Sequence, residues 1–166
     1  MWSFERIRHG VAASLIAASL TGCGFTPAYG PSGGAQVLDG QIRVDAPDNR
    51  SGYLLRRRIE ERIGRAEGPY VLTVNVSTEE QDFGTTSAGF TTRFRIVGSA
   101  TYSLKDSRGI EIAEGEAEEF VGYSATGSIV STPASQSDAE ERLATILGDR
   151  IVEDLLFVAD RLTPAR

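Results

Sequence analysis

One apolar stripe constrains the fold more than any other feature. Leu143, Ile146, Leu147, Ile151, Leu155, Val158 and Leu162 recur at steps of three and four residues until Pro164, with Glu140, Glu141, Asp149, Glu153 and Arg161 placed off the stripe. The spacing predicts an amphipathic helix of about 25 residues. Ser137-Asp138-Ala139-Glu140 reads as its capping box, the Ser oxygen accepting from the backbone at the Glu and the Glu reaching back. So long a stripe must be covered, and the expected cover is a sheet of the same chain.

The sheet is visible as alternation. Tyr70, Leu72, Val74 and Val76 alternate with Val71, Thr73, Asn75 and Ser77, and Phe94, Ile96, Gly98, Ala100, Tyr102 and Leu104 alternate with Arg93, Arg95, Val97, Ser99, Thr101 and Ser103. Asp106-Ser107-Arg108-Gly109 reads as a hairpin turn into a third strand, Ile110 to about Tyr123, whose pattern slips around Gly115 as at a bulge. Glu79 to Gly89 reads as a long polar connection, and SATGSIVSTPASQS after Tyr123 as a flexible loop. Upstream, a short strand from Gln41 to Asp45 closes at Pro47. It leads into a helix with Leu55, Ile59 and Ile63 on one face and Arg56, Arg57, Arg58, Arg62 and Arg65 on the others, ending near Gly64 and Gly68.

The order is β-α-β-β-β-α. It predicts an α+β two-layer sandwich: a four-stranded, mostly antiparallel sheet with two helices on one face. The other face is left for water or a partner, and alternation puts Arg93, Arg95, Ser99 and Thr101 on it.

The N-terminus predicts an export route. Arg6, Arg8 and His9 precede a charge-free run from Val11 to Leu20, which is too short for a hydrocarbon core needing roughly 20 residues and reads as a signal peptide. The run ends in Leu20-Thr21-Gly22-Cys23, which resembles a bacterial lipobox and contains the only Cys of the chain. Residues 1–22 are therefore expected to be removed and Cys23 to carry the lipid, with Gly24 in place of an inner-membrane-retaining Asp favouring the outer membrane. Residues 23–40, rich in Gly with Pro27 and Pro31, read as a lipidated tether, and 41–166 as the domain.

Composition removes several kinds of chemistry. The chain of 166 residues is 40% hydrophobic and 24% charged, which suits one compact domain. Its net charge of −6 disfavours nucleic acid as a partner. With one Cys and one His it cannot build a disulfide framework, a Cys/His metal site or a Cys-His pair. Cleavage after residue 22 takes His9 and Trp2 with it, along with Glu5, Arg6 and Arg8, leaving a mature charge of −7 and no imidazole. The remaining acid/base candidates are carboxylates, and no cofactor or metal is expected. Glu114, Glu116, Glu118 and Glu119 could supply a glycosidase-type pair only if a cleft gathered two of them. Their alternation with Gly115 and Ala117 instead fits the solvated face of a strand.

Four features together resemble the LPS-assembly lipoprotein LptE family in its alphaproteobacterial form. They are Cys23-Gly24-Phe25-Thr26-Pro27-Ala28-Tyr29-Gly30 after the lipobox, the Arg-rich first helix, the Tyr102-Ser103-Leu104-Lys105-Asp106 hairpin entry, and Tyr123 followed by Ser137-Asp138-Ala139-Glu140-Glu141-Arg142 before the last helix. The resemblance implies a non-enzymatic outer-membrane lipoprotein that plugs and helps assemble the LPS translocon barrel (LptD) and binds lipopolysaccharide. An acidic protein needs local cations for such a ligand, and Arg93 and Arg95, with Lys105 beyond them, are the candidates. Arg56-Arg57-Arg58 form a rival patch, expected to solvate the helix and pair with Glu60 or Glu61. An auxiliary lipoprotein of a phospholipid-transport ABC system is the alternative, distinguished by its partner.

Overall fold

A computed structural model describes residues 34–85, 91–125 and 131–162; the lipobox and Cys23 lie outside them. The elements run α1 (Gly34–Leu38), β1 (Ile42–Asp45), α2 (Arg50–Ile63), β2 (Tyr70–Thr85), β3 (Thr91–Lys105), β4 (Glu111–Ser124) and α3 (Ser131–Leu156), followed by a 3-10 turn at Ala159–Arg161. The sheet order is β1-β2-β3-β4. β1 lies parallel to β2 and the other two pairings are antiparallel. This is the α+β sandwich that the periodicities predict.

The core forms where the two periods meet. Ile42 and Val44 of β1, Leu72 and Val74 of β2, Ile96, Ala100 and Leu104 of β3 and Ala117 and Val121 of β4 are buried against Leu55, Ile59 and Ile63 of α2 and Leu143, Leu147, Ile151 and Leu155 of α3. Gly98 of β3 lies beneath α3, where an added Cβ would come within 2.9 Å of Leu143, so the helix reaches the sheet because no side chain intervenes. α2 begins at Asn49, whose side chain accepts from the Gly52 N–H at 2.8 Å, and ends at Gly64 with φ of 75°. The β3–β4 turn is closed by Asp106, whose Oδ1 accepts from the backbone N–H of Arg108 and of Ile110, with Gly109 at φ of 81°.

Four local expectations need correction. α3 starts at Ser131, six residues before the predicted capping box, and Pro133 sits in its first turn, where a missing N–H costs nothing. Ser137 and Glu140 are thus inside the helix, and both accept from the Arg50 guanidinium at the start of α2. β2 continues to Thr85, so most of the expected connection from Glu79 is strand. Gly115 is not a bulge: it pairs with Tyr102 in register, and the Tyr102 ring lies across it where a Cβ would clash. The register shift falls at Leu104/Lys105, where Ile112 has no cross-strand partner. The stretch read as tether ends in α1, whose Leu38 is fully buried.

Candidate functional site

Arg93 and Arg95 stand on the helix-free face because their neighbours Ile96, Ala100 and Leu104 have turned inward and side chains alternate along β3. Arg95 is the better fixed. Its Nε donates to Gln81 Oε1 of β2 at 2.9 Å. Its guanidinium carbon lies 5.6 Å from the centroid of the Phe83 ring and 6.0 Å from that of Phe120, within cation-π range of both. These rings are 63% and 62% exposed, so they flank the cation without covering it. Arg93 is exposed and lies across Gly84, at a register shift of the β2–β3 pair. A shallow depression of about 480 Å³ borders the group, lined by Gln81, Arg95, Val97, Glu118, Glu119 and Phe120.

The electrostatics of this corner differ from those of the helices. Among the described residues, neither Arg93 nor Arg95 takes part in an ion pair. On α2, Arg57 pairs with Glu141 and Glu61, Arg58 with Asp149 and Glu61, and Arg62 with Asp149. Arg57, Arg58 and Arg62 are therefore tied up, by Glu141 and Asp149 of α3 as well as by the Glu61 that the sequence neighbourhood suggests, whereas Arg56 takes part in no ion pair among the described residues. Burial pushes the Asp149 carboxyl upward, but hydrogen bonds and charge from Arg58 and Arg62 outweigh it and hold the group below its ordinary value. Arg58 is raised in turn, first by its hydrogen bond to Asp149.

Lys105 shares the face but not the corner. Ten residues of strand separate it from Arg95, roughly 33 Å at 3.3 Å per residue. It is exposed and sits opposite Glu111. The structure thus brings Arg93 and Arg95 together and leaves Lys105 at the far end of the sheet. Gln81, Phe83 and Phe120 are the neighbours that sequence reasoning missed. Glu79, Gln81 and Phe83 do continue the outward alternation of β2, a signal hidden by the polar Thr78, Glu80 and Asp82 on the other side.

The carboxylates of β4 follow the strand pattern. Glu114, Glu116 and Glu118 are exposed on the open face, and Glu116 accepts from the Ser99 hydroxyl at 2.9 Å. Glu118 and Glu119 both border the depression, yet adjacent strand residues leave on opposite faces, which separates their carboxylates. Among the described residues, no group of His, Cys, Asp and Glu is arranged to hold a metal, and no helix is long and apolar enough to cross a membrane.

Comparison with known proteins decides the family. The LptE lipopolysaccharide-assembly family matches residues 40–155, which spans all four strands and nearly all of α3. The chain belongs to the LptE family. No curated protein matches the sequence. A solved structure from Caulobacter crescentus, described as a lipoprotein, is 25% identical with a TM-score of 0.62, covering 76% of this chain and 96% of its own. Rare lipoprotein B of Shewanella oneidensis shares the fold at 15% identity and a TM-score of 0.56, covering 74% of this chain and 98% of its own. A minor lipoprotein of Acinetobacter baumannii does so at 18% and 0.55, covering 76% and 96%. Within this LptE-family fold, the Arg93–Arg95 corner lies at the end of the sheet where the β2–β3 strands run furthest, and Lys105 at the end where α1 packs on the 3-10 turn.

Proposed function

We propose that this LptE-family chain is an outer-membrane lipoprotein, anchored through Cys23, that plugs and helps assemble the LPS translocon barrel (LptD) and binds lipopolysaccharide at Arg93 and Arg95. Family membership supports the assembly role. One observation carries the ligand site: Arg95 is half-buried and oriented, yet its fork is held by the neutral Gln81 amide and two aromatic rings instead of a carboxylate. An arginine held this way keeps its charge available, and a phosphate oxygen can take the outward N–H groups as charge-assisted hydrogen bonds. The mature net charge of −7 makes such a corner necessary for an anionic ligand.

The test is the double variant Arg93→Glu/Arg95→Glu, purified as the mature protein. Contacts to charged groups contribute about 1.5–3 kcal/mol each, so lipopolysaccharide affinity should fall at least about tenfold while the circular dichroism melt is unchanged. Unchanged binding with an unchanged melt would remove both residues from the ligand site. Tagged wild type should bring the translocon barrel through detergent extraction. Recovery of a phospholipid-transport ABC complex in its place would overturn the assembly role.

A further inference from the structure

The upper ends of β2, β3 and β4, those that carry the arginine corner, are where the buried core thins. β2 turns Thr78, Glu80 and Asp82 toward the helix layer there, and the β2–β3 ladder is irregular on both sides of Gly84, level with Arg93. Strands that are polar on both faces are weakly specified in register. Arg95 is nevertheless aimed at Gln81 and seated between two rings.

A brace lies on the reverse side of the sheet. Tyr123 of β4 pairs with Phe94 of β3, and the two rings stack at 5.4 Å with 19° between their planes. The Tyr123 hydroxyl reaches past β3 and donates to Glu80 Oε2 of β2 at 2.7 Å. Gln136 of α3 donates to the same oxygen at 3.0 Å. One carboxylate oxygen thus joins β2, β4 and α3, and the ring stack adds β3. Each member of the brace adjoins the corner on the other face: Glu80 precedes Gln81, Phe94 lies between Arg93 and Arg95, and Tyr123 lies between Gly122 and Ser124, which pair with Arg95 and Arg93. Tyr123 is buried, and burial first, then Glu80, pushes its hydroxyl up to about 12, so it remains a donor at neutral pH.

We propose that Tyr123, held by Glu80, is a positioning residue for the anion site: it locks the upper strand ends in the arrangement that aims the Arg95 fork outward. Its effect on binding rests on the reading of Arg93 and Arg95 as the ligand site; its effect on the arginine itself does not. A hydroxyl bonded to a carboxylate makes a strong, charge-assisted tie. A guanidinium already held in place has less side-chain freedom to lose when a ligand arrives. The molecule also contains a control. Tyr102 donates to Asp154 at 3.2 Å and is likewise pushed up to about 12, but its strand neighbours are Thr101 and Ser103, with no cation behind it.

The test compares Tyr123→Phe, which keeps the ring, and Glu80→Ala, at an exposed position, with Tyr102→Phe, all in the mature protein. The Arg95 Nε–H resonance, assigned by its absence from Arg95→Lys, is displaced by the ring currents of Phe83 and Phe120 and shielded from exchange by Gln81. In Tyr123→Phe and Glu80→Ala it should move toward the position of a free arginine and exchange faster, while Tyr102→Phe leaves it in place. Lipopolysaccharide affinity should fall about three- to fivefold in the first two and stay unchanged in the third, with the Leu147 amide as protected as in wild type. Glu80→Gln keeps an acceptor for both donors and should restore most of the resonance position and of the affinity.

An unmoved Arg95 resonance in both Tyr123→Phe and Glu80→Ala overturns the proposal. So does a shift that Tyr102→Phe reproduces, or one that comes with lost protection at Leu147, since the hydroxyl would then serve general stability. A moved resonance with unchanged affinity overturns the positioning role in binding, and Arg93→Glu/Arg95→Glu then separates two failures. If the charge reversal still weakens binding, the ligand site stands without its brace. If it does not, the ligand site itself lies elsewhere.

Discussion

The arginines of α2 and those of β3 have opposite fates in one fold. Arg57, Arg58 and Arg62 reach across the helix pair to Glu141 and Asp149, and their charge is spent within the protein. Arg93 and Arg95 project from a sheet face with no helix over it and make no ion pair among the described residues. The difference teaches that an arginine-rich run is poor evidence of a binding patch. What matters is which groups reach the cation: α2 faces an acidic flank of α3 that pairs with it, whereas Arg95 on the upper part of β3 is held by Gln81 and aromatic rings, and Glu118 and Glu119, which border the same depression, make no ion pair with it among the described residues. A cation held by neutral groups remains available to a ligand.

The largest test asks what holds α3 in place. Leu147 is buried beside Gly98, and Leu147→Ala should cost about 2–5 kcal/mol by removing packed methyl groups and leaving a cavity. Asp149→Ala should cost less, about 1–3 kcal/mol, since it removes the carboxylate that Arg58 and Arg62 share across the helix pair, while their side chains retain partial access to water and Arg58 keeps Glu61. Urea melts measure both. If Asp149→Ala proves the more damaging, the ion pairs and not the apolar stripe dock the helix. Lipopolysaccharide affinity should be unchanged in Asp149→Ala, provided the helix arginines play no part in binding.

The pH dependence of stability should show the same ties. Asp149 is depressed, so its contribution is present above the ordinary Asp value of about 3.9 and is lost as pH falls through the lower folded value. Tyr102 works in the opposite direction. Burial first, then the neighbouring Asp154 that accepts its hydroxyl at 3.2 Å, raises it to about 12. Its contribution is complete below about pH 10 and is lost as pH rises toward 12. Tyr102→Phe should flatten the alkaline limb of a melt series, and Asp149→Asn the acid limb. An unchanged limb in either variant would show that the group titrates as it does in the unfolded chain.

Much of this architecture is legible in the sequence, and the failures have physical causes. Where helices cover the sheet, one side of each strand must be apolar, so Ile96 to Leu104 and Leu143 to Leu155 announce themselves. Beyond the core, the end of β2 carries Thr78, Glu80 and Asp82 on its helix side, and polarity on both faces resembles a loop. The first turns of α3 failed for a related reason: Ser, Thr and Pro suit a loop and a helix N-terminus equally well. The inter-helix clasp could not be read at all, because Arg57 and Glu141 are 84 residues apart and Arg58 and Asp149 are 91. For the site, alternation put Arg93 and Arg95 on the open face, but it cannot report that Lys105, on the same face, stands at the other end.

The smallest expected effect tests the geometry of the corner instead of its charge. Phe83→Ala removes one of the two rings beside Arg95, and Gln81→Ala removes the acceptor of its Nε. Neither changes net charge, and neither residue belongs to the core. Exposed cation-π contacts contribute about 0.5–1 kcal/mol, and a hydrogen bond that aims the fork contributes about as much. Each loss should therefore weaken lipopolysaccharide binding by about two- to fivefold, well short of the double charge reversal, with no change in the melt. The two effects should also fall short of additive when combined, because both act by holding the same guanidinium. If both single variants bind like wild type while Arg95→Glu does not, the corner supplies only charge, and the fixed fork is incidental to recognition. If Phe83→Ala alone matches the charge reversal, Phe83 itself contacts the ligand and the corner reads an apolar group beside the phosphate.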